Sequence, residues 1–180
     1  MMTKRIQDFA LAVAVLLLSS LTAAASPCDV KNLPELIQSS LTVDYAGWKV
    51  VIPSTLEASD RATWLENYSK ECPGIIKGKF SGDSEGYVLN LVKKAPGKIL
   101  QQVVYFEPGE SGFSPVVIFP STAIKVVTVI RKFAPGKYKP SNGGKSLFIK
   151  TDTIGLSQID AWTEVYYWDG SRFRKIVTSD

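Results

Sequence analysis

Two cysteines and no histidine bound the chemistry open to this 180-residue chain. Without histidine neither a Ser-His-Asp triad nor a Cys-His pair can be assembled. Zinc sites that use histidine are excluded on the same ground. There is no C-x-x-C spacing, so a reactive thiol pair is disfavoured. A Ser-x-x-Lys nucleophile is absent too; Ser171-Arg172-Phe173-Arg174 comes nearest and carries Arg where Lys is needed. Asn142-Gly143-Gly144-Lys145 looks like a fragment of a phosphate loop but lacks the following helix signal. Carboxylate pairs remain, Asp83 with Glu85 and Asp160 with Glu164. Such pairs could serve a hydrolase acting on sugar or peptidoglycan. Acidic residues are few and sit mostly in turns, where solvated charges are the simpler reading.

The start of the chain gives a compartment to these residues. Lys4 and Arg5 precede the apolar run Phe9 to Leu18, and Ala23 and Ala25 then form an A-x-A arrangement. This is the pattern of a cleaved secretory signal, with the cut expected after Ala25. The apolar run falls short of the roughly 20 residues of a membrane span. A periplasmic or secreted location is therefore expected, with no stable membrane anchor after cleavage. Removing residues 1–25 from the 180 leaves 155, one ordinary domain over 26–180. Lys4, Arg5 and Asp8 leave with the signal, and the net charge falls from +4 to +3. So mild and scattered a basic excess, in an exported protein, argues against a nucleic-acid partner.

In an exported chain an even cysteine count reads as a disulfide, here Cys28–Cys72. It would tie the mature N-terminus to the stretch before Pro73-Gly74. The two thiols are thereby removed as metal ligands, and no cofactor is expected.

The elements that must carry these residues are mostly strands. Asn32-Leu33-Pro34-Glu35 opens a helix with Asn32 as cap, and Leu33, Leu36, Ile37 and Leu41 recur at helical spacing. A second helix is expected over Ser59 to Lys70, with Trp64, Leu65 and Tyr68 on its apolar face. Between them Trp48 to Ile52 reads as a strand. After Cys72-Pro73-Gly74 the pattern is β: Ile75–Phe80, Tyr87–Val92, Ile99–Phe106, Val116–Phe119, Ala123–Arg131 and Leu147–Ile149. Turn residues recur every ten or so positions, the rhythm of an antiparallel sheet. Pro120-Ser121 is expected to break one strand from the next, and Glu107 to Gly112 to form a loop. The expected class is α+β, predominantly antiparallel sheet with one or two short N-terminal helices and one disulfide.

The last segment is the clearest hairpin. Trp162–Trp168 and Ser171–Val177 flank Asp169-Gly170. A two-residue loop at Asp-Gly would place Trp168 across from Ser171, Tyr167 across from Arg172, Tyr166 across from Phe173 and Glu164 across from Lys175. Tyr167, Trp168, Arg172 and Arg174 are residue types enriched at interface hot spots, and they form the candidate binding surface.

Gly78-Lys79-Phe80-Ser81-Gly82-Asp83-Ser84-Glu85-Gly86 resembles the calcium-binding strand-loop-strand unit of FG-GAP and VCBS-type repeats. Small exported bacterial proteins of uncertain function carry single units of this kind, sometimes after a Cys-Pro-Gly. Tyr167-Trp168-Asp169-Gly170 is similar to their closing hairpin. The resemblance implies a loop that once held calcium. Here Lys79 stands at the first acidic ligand, Ser81 replaces an Asn and Ser84 a Gly. Calcium wants several oxygen ligands, commonly two or more of them carboxylates, and a lysine in the first position repels the ion. Asp83 and Glu85 alone are too few, so the loop is expected to keep its turn without a metal. The functional expectation is a non-catalytic protein of inhibitor, immunity or accessory type that binds another envelope or secreted protein.

Overall fold

A strand buried on both faces reads as a near-continuous apolar run, and Tyr87-Val88-Leu89-Asn90-Leu91-Val92 is such a run. The computed structural model describes residues 26–178 and places this strand at the centre of a layered fold. The expected export signal, residues 1–25, lies outside the described residues. In chain order the elements are α1 (Glu35–Val43), β1 (Lys49–Val50), α2 (Ala58–Tyr68), β2 (Ile75–Gly78), β3 (Gly86–Ala95), β4 (Lys98–Gly109), β5 (Gly112–Ile124), β6 (Val129–Phe133), β7 (Gly136–Tyr138), β8 (Leu147–Ile149), β9 (Thr153–Gln158), β10 (Trp162–Trp168) and β11 (Phe173–Thr178).

Three antiparallel sheets result. The first runs β1-β3-β4-β5, with β2 sharing the β1 edge of β3. The second runs β11-β10-β9-β6, and β7 with β8 makes a separate ribbon. Val88, Val103 and Tyr105 of the first sheet and Phe80 of the loop after β2 meet Ile130, Ile154, Leu156 and Tyr166 of the second. The opposite face of β3 and β4, with Leu89, Leu91, Val104 and Phe106, is covered by Leu33 and by Ile37 of α1. Trp64 of α2 joins Val51, Leu56, Val92, Val127 and Val129 in a third cluster. The order is thus helix, sheet, sheet, which explains why β3 alternates between two apolar partners rather than between core and water.

Cys72-Pro73-Gly74 threads through this structure. Pro73 O accepts from Ile130 N and Gly74 O from Asn90 N, both at 3.0 Å, so the segment stitches the two sheets together. A side chain at Gly74 would collide with the Val51 backbone, and only glycine fits there. The disulfide is present, Cys28 to Cys72, with Cα atoms 5.1 Å apart.

Several elements differ from the sequence reading. Pro34, not Asn32, stands before α1, because Asp29 and a 3-10 turn over Val30–Asn32 fill the preceding residues. Leu65 lies on the exposed side of α2, 49% accessible, while Trp64 is fully buried. Pro120-Ser121 does not break a strand: β5 runs unbroken from Gly112 to Ile124. It is an edge strand, so a proline needs no ladder partner for its missing N–H. A register shift opposite Gln101–Val104 absorbs the irregularity. The expected strand Ala123–Arg131 is two, because Lys125–Thr128 crosses from the first sheet to the second. The loop expected at Glu107–Gly112 shrinks to Glu110-Ser111, with Gly109 paired to Gly112. A strand the sequence reading lacks, β9, lies at the middle of the second sheet. Its Gly155 reads as a turn residue but is needed, since the Phe133 ring packs directly on it.

Candidate functional site

The hairpin residues do not make one surface. Asp169-Gly170 does not close a two-residue turn; the loop spans Asp169 to Arg172, and Trp168 pairs with Phe173. A two-residue I′ turn needs positive φ at both positions, and only Gly170 adopts it, at 102°. Asp169 instead accepts from Ser171 N at 3.0 Å, Ser171 Oγ at 2.8 Å and Arg172 N at 3.0 Å. Its N–H donates to Arg172 O. This carboxylate-capped loop moves the register by two residues: Tyr167 faces Arg174, Tyr166 faces Lys175 and Glu164 faces Val177. Glu164 and Lys175 still meet diagonally, at 2.7 Å.

Strand alternation and the longer loop sort the four candidates. Trp168 lies on the inner face and packs edge-on against Phe173, 5.3 Å between centroids. Phe173 packs on Tyr105 and Tyr105 on Phe80, so Trp168 ends an aromatic row that starts in the core. Tyr167 and Arg174 lie on the other face, and Arg172 is in the loop. Arg174 Nε is held by Asp169 Oδ2 at 2.6 Å. The hydrogen bond from Arg174, then those from Ser171 and Arg172, hold the Asp169 carboxyl well below the usual range. A depressed carboxylate stabilises the fold above its unfolded pKa, about 3.9, and that contribution fades as pH falls below it. The melting temperature of Asp169→Asn is therefore expected to lie below wild type at pH 7. The gap should narrow steadily below about pH 4 in a melting series and vanish only below about pH 2, and a gap as large at pH 2 as at pH 7 would assign the effect to loop shape.

One member of each carboxylate pair, Glu85 and Glu164, is engaged elsewhere. Glu85 ion-pairs with Lys77 at 2.6 Å across the base of the β2–β3 loop. The hydrogen bond from Lys77 lowers the Glu85 pKa. Glu164 accepts from Tyr166 Oη at 2.8 Å as well as from Lys175. Burial, then the Glu164 hydrogen bond, pushes the Tyr166 phenol far up. Asp160 occupies the β9–β10 turn with φ of 57°. In the loop that resembles a calcium unit, Phe80 is a core residue and Ser81 Oγ shares a 2.9 Å hydrogen bond with Tyr105 Oη. Lys79 is exposed, and its N–H donates to Asp152 Oδ2 at 2.9 Å. Asp83 is exposed at the tip. Among the described residues no three Asp, Glu, His or Cys side chains gather as a metal cluster.

The structure gathers two other groups. One is the β7–β8 ribbon, where Lys137 stands directly across from Phe148. Phe148 is 74% exposed, the most exposed large apolar side chain among the described residues. The ribbon is fastened to the second sheet: Thr153 Oγ1 donates to Tyr138 Oη at 3.1 Å, and Ser141 N donates to Val177 O. The other group lies at the Pro96-Gly97 turn of the first sheet. There Lys94, Lys98 and Lys125 rim a shallow hollow of about 710 Å³. A narrower cleft of about 330 Å³ adjoins it, sharing Ile124 and Lys125. None of the three lysines has an ion-pair partner among the described residues. The acidic Glu107 and Glu110 sit at the far end of the same sheet, at the β4–β5 turn. One signal for the ribbon was in the sequence: no Asp or Glu occurs between Glu110 and Asp152, while seven Lys and Arg do; of the second group only Lys125 falls in that stretch.

No family model, no curated protein and no solved structure matches this chain.

Proposed function

We propose that the chain is an exported, non-catalytic binding protein whose partner is another envelope or secreted protein with an acidic surface. The β7–β8 ribbon is the docking element. The observation that carries this reading is Phe148: a large aromatic side chain with almost no packing role, facing Lys137, in a stretch without carboxylates. Aromatic anchors flanked by cations suit an acidic, partly apolar partner surface. The engaged states of Glu85, Glu164 and Asp169 support binding over carboxylate catalysis. The Cys28–Cys72 bridge supports an oxidising compartment.

The hairpin supplies the contrast that tests this. Phe148→Ala is expected to leave the melting temperature within about 1–2 °C of wild type, as exposed sites do. It should abolish capture of a specific partner from envelope extract, and Lys137→Glu should do the same. Trp168→Ala removes the end of the aromatic row and is expected to cost about 2 kcal/mol, or about 4–8 °C. Capture that survives Phe148→Ala but is lost, without destabilisation, in Trp168→Ala would move the interface to the hairpin.

A further inference from the structure

We infer that the lysine-rimmed end of the sandwich binds a single-chain, phosphate-headed amphiphile, with the headgroup in the hollow and the alkyl chain in the adjoining cleft. This site goes beyond the ribbon and shares no residue with it.

The cleft is shaped for a chain rather than a sugar. Phe119, Ile124, Val126, Leu156 and Trp162 line it, and Gln101 and Thr128 lie at its floor. Those two polar residues are turned mainly toward each other and Asn90. Gln101 Nε2 donates to Thr128 Oγ1 and Asn90 Oδ1, both at 2.7 Å, and Gln101 Oε1 accepts from Thr128 N at 3.2 Å. A sugar entering here would lose water and gain few hydrogen bonds. An alkyl chain loses nothing by it. The volume of about 330 Å³ lies in the range of small-molecule pockets, roughly 300–1,000 Å³.

The mouth is shaped for an anion. Lys125 borders both the cleft and the hollow, and Lys94 and Lys98 complete the rim. Three cations without ion-pair partners among the described residues match a headgroup that carries close to two negative charges, as a phosphate monoester does. Trp162, 37% exposed, stands at the cleft wall and would report on a chain entering it.

The test is a titration of the mature, disulfide-bonded chain with dodecyl phosphate below its micelle-forming concentration, read by calorimetry and by tryptophan fluorescence. Dodecyl maltoside supplies the same chain on a neutral head, and inorganic phosphate supplies the head alone. Dodecyl phosphate is expected to bind one to one. Dodecyl maltoside should bind at least tenfold more weakly, and inorganic phosphate should give no saturable heat. Lys98→Gln combined with Lys125→Gln should weaken dodecyl phosphate about tenfold and leave dodecyl maltoside unchanged. Shortening the chain to decyl should weaken binding about fifteenfold, at the usual value per buried methylene. Trp162→Phe should retain the heat and lose the fluorescence change.

Equal binding of the two dodecyl compounds would overturn the headgroup assignment. Binding of inorganic phosphate as tight as that of dodecyl phosphate would make this an anion site and remove the lipid. A fluorescence change that survives Trp162→Phe, or uptake of many molecules per chain, would place the alkyl group elsewhere and overturn the cleft.

Discussion

Replacing both Cys28 and Cys72 with alanine is expected to lower the melting temperature by about 8–16 °C. The two residues are 44 apart in sequence, and closing a loop of that length removes about 4 kcal/mol of chain entropy from the unfolded state. In a domain of this size each kcal/mol moves the transition by about 2–4 °C. The loop holds β1 and both helices, so the bridge acts on the least sheet-bound part of the chain. Leu33 and Ile37 still anchor α1 when the bridge is gone, because both are buried against Leu89 and Leu91. Amide exchange should therefore rise first over residues 28–34 and more slowly within α1. A thermal scan with and without thiol reductant measures the same quantity in the wild type. A drop smaller than about 2 °C would mean that the unfolded chain already keeps its N-terminal third compact.

The extent to which this fold could be read from its residues depends on what each residue faces. β3 was legible because its apolar run has only one physical solution, burial on both faces. The disulfide was legible because two cysteines have only one pairing available. β9 was not, because its sequence Thr-Ile-Gly-Leu-Ser-Gln carries a glycine whose purpose is a ring on another strand. Long-range packing of that kind leaves no local trace. The hairpin loop failed for a related reason. Asp169 carries two opposing preferences, a turn position and a hydrogen-bond acceptor, and its carboxylate won by taking three donors in its own loop. Strand alternation alone sets Trp168 on the face opposite Tyr167 and Arg174, and the longer loop takes Arg172 out of the strand. Lys94, Lys98 and Lys125 were visible as residues but not as a group, since 31 positions separate the first from the last. Only the β4–β5 pairing, which sets Ile99 against Ile124, brings them to one end.

Gln101→Ala is expected to be as damaging as loss of the disulfide, about 4 kcal/mol. Gln101 and Asn90 are both fully buried, and Thr128 nearly so, between two apolar sheets. Asn90 Nδ2 donates to Thr128 O at 2.8 Å, and Gln101 ties the other atoms of Asn90 and Thr128. These bonds hold Lys125–Thr128 where the chain leaves the first sheet for the second. Removing Gln101 strands Asn90 Oδ1 and Thr128 N in a dry interior, at about 1–3 kcal/mol each, and leaves a cavity besides. The network behaves as a unit, so Asn90→Ala with Gln101→Ala should cost less than the two single substitutions added together, by about 1–2 kcal/mol. Chemical denaturation of the four proteins in the cycle measures that coupling. Strict additivity would show that each side chain is satisfied independently, by water. The same polar floor closes the cleft at the lysine end. Gln158→Ala, at the rim of that cleft, should change stability by less than about 0.5 kcal/mol. The contrast between Gln101 and Gln158 separates what builds the cleft from what merely borders it.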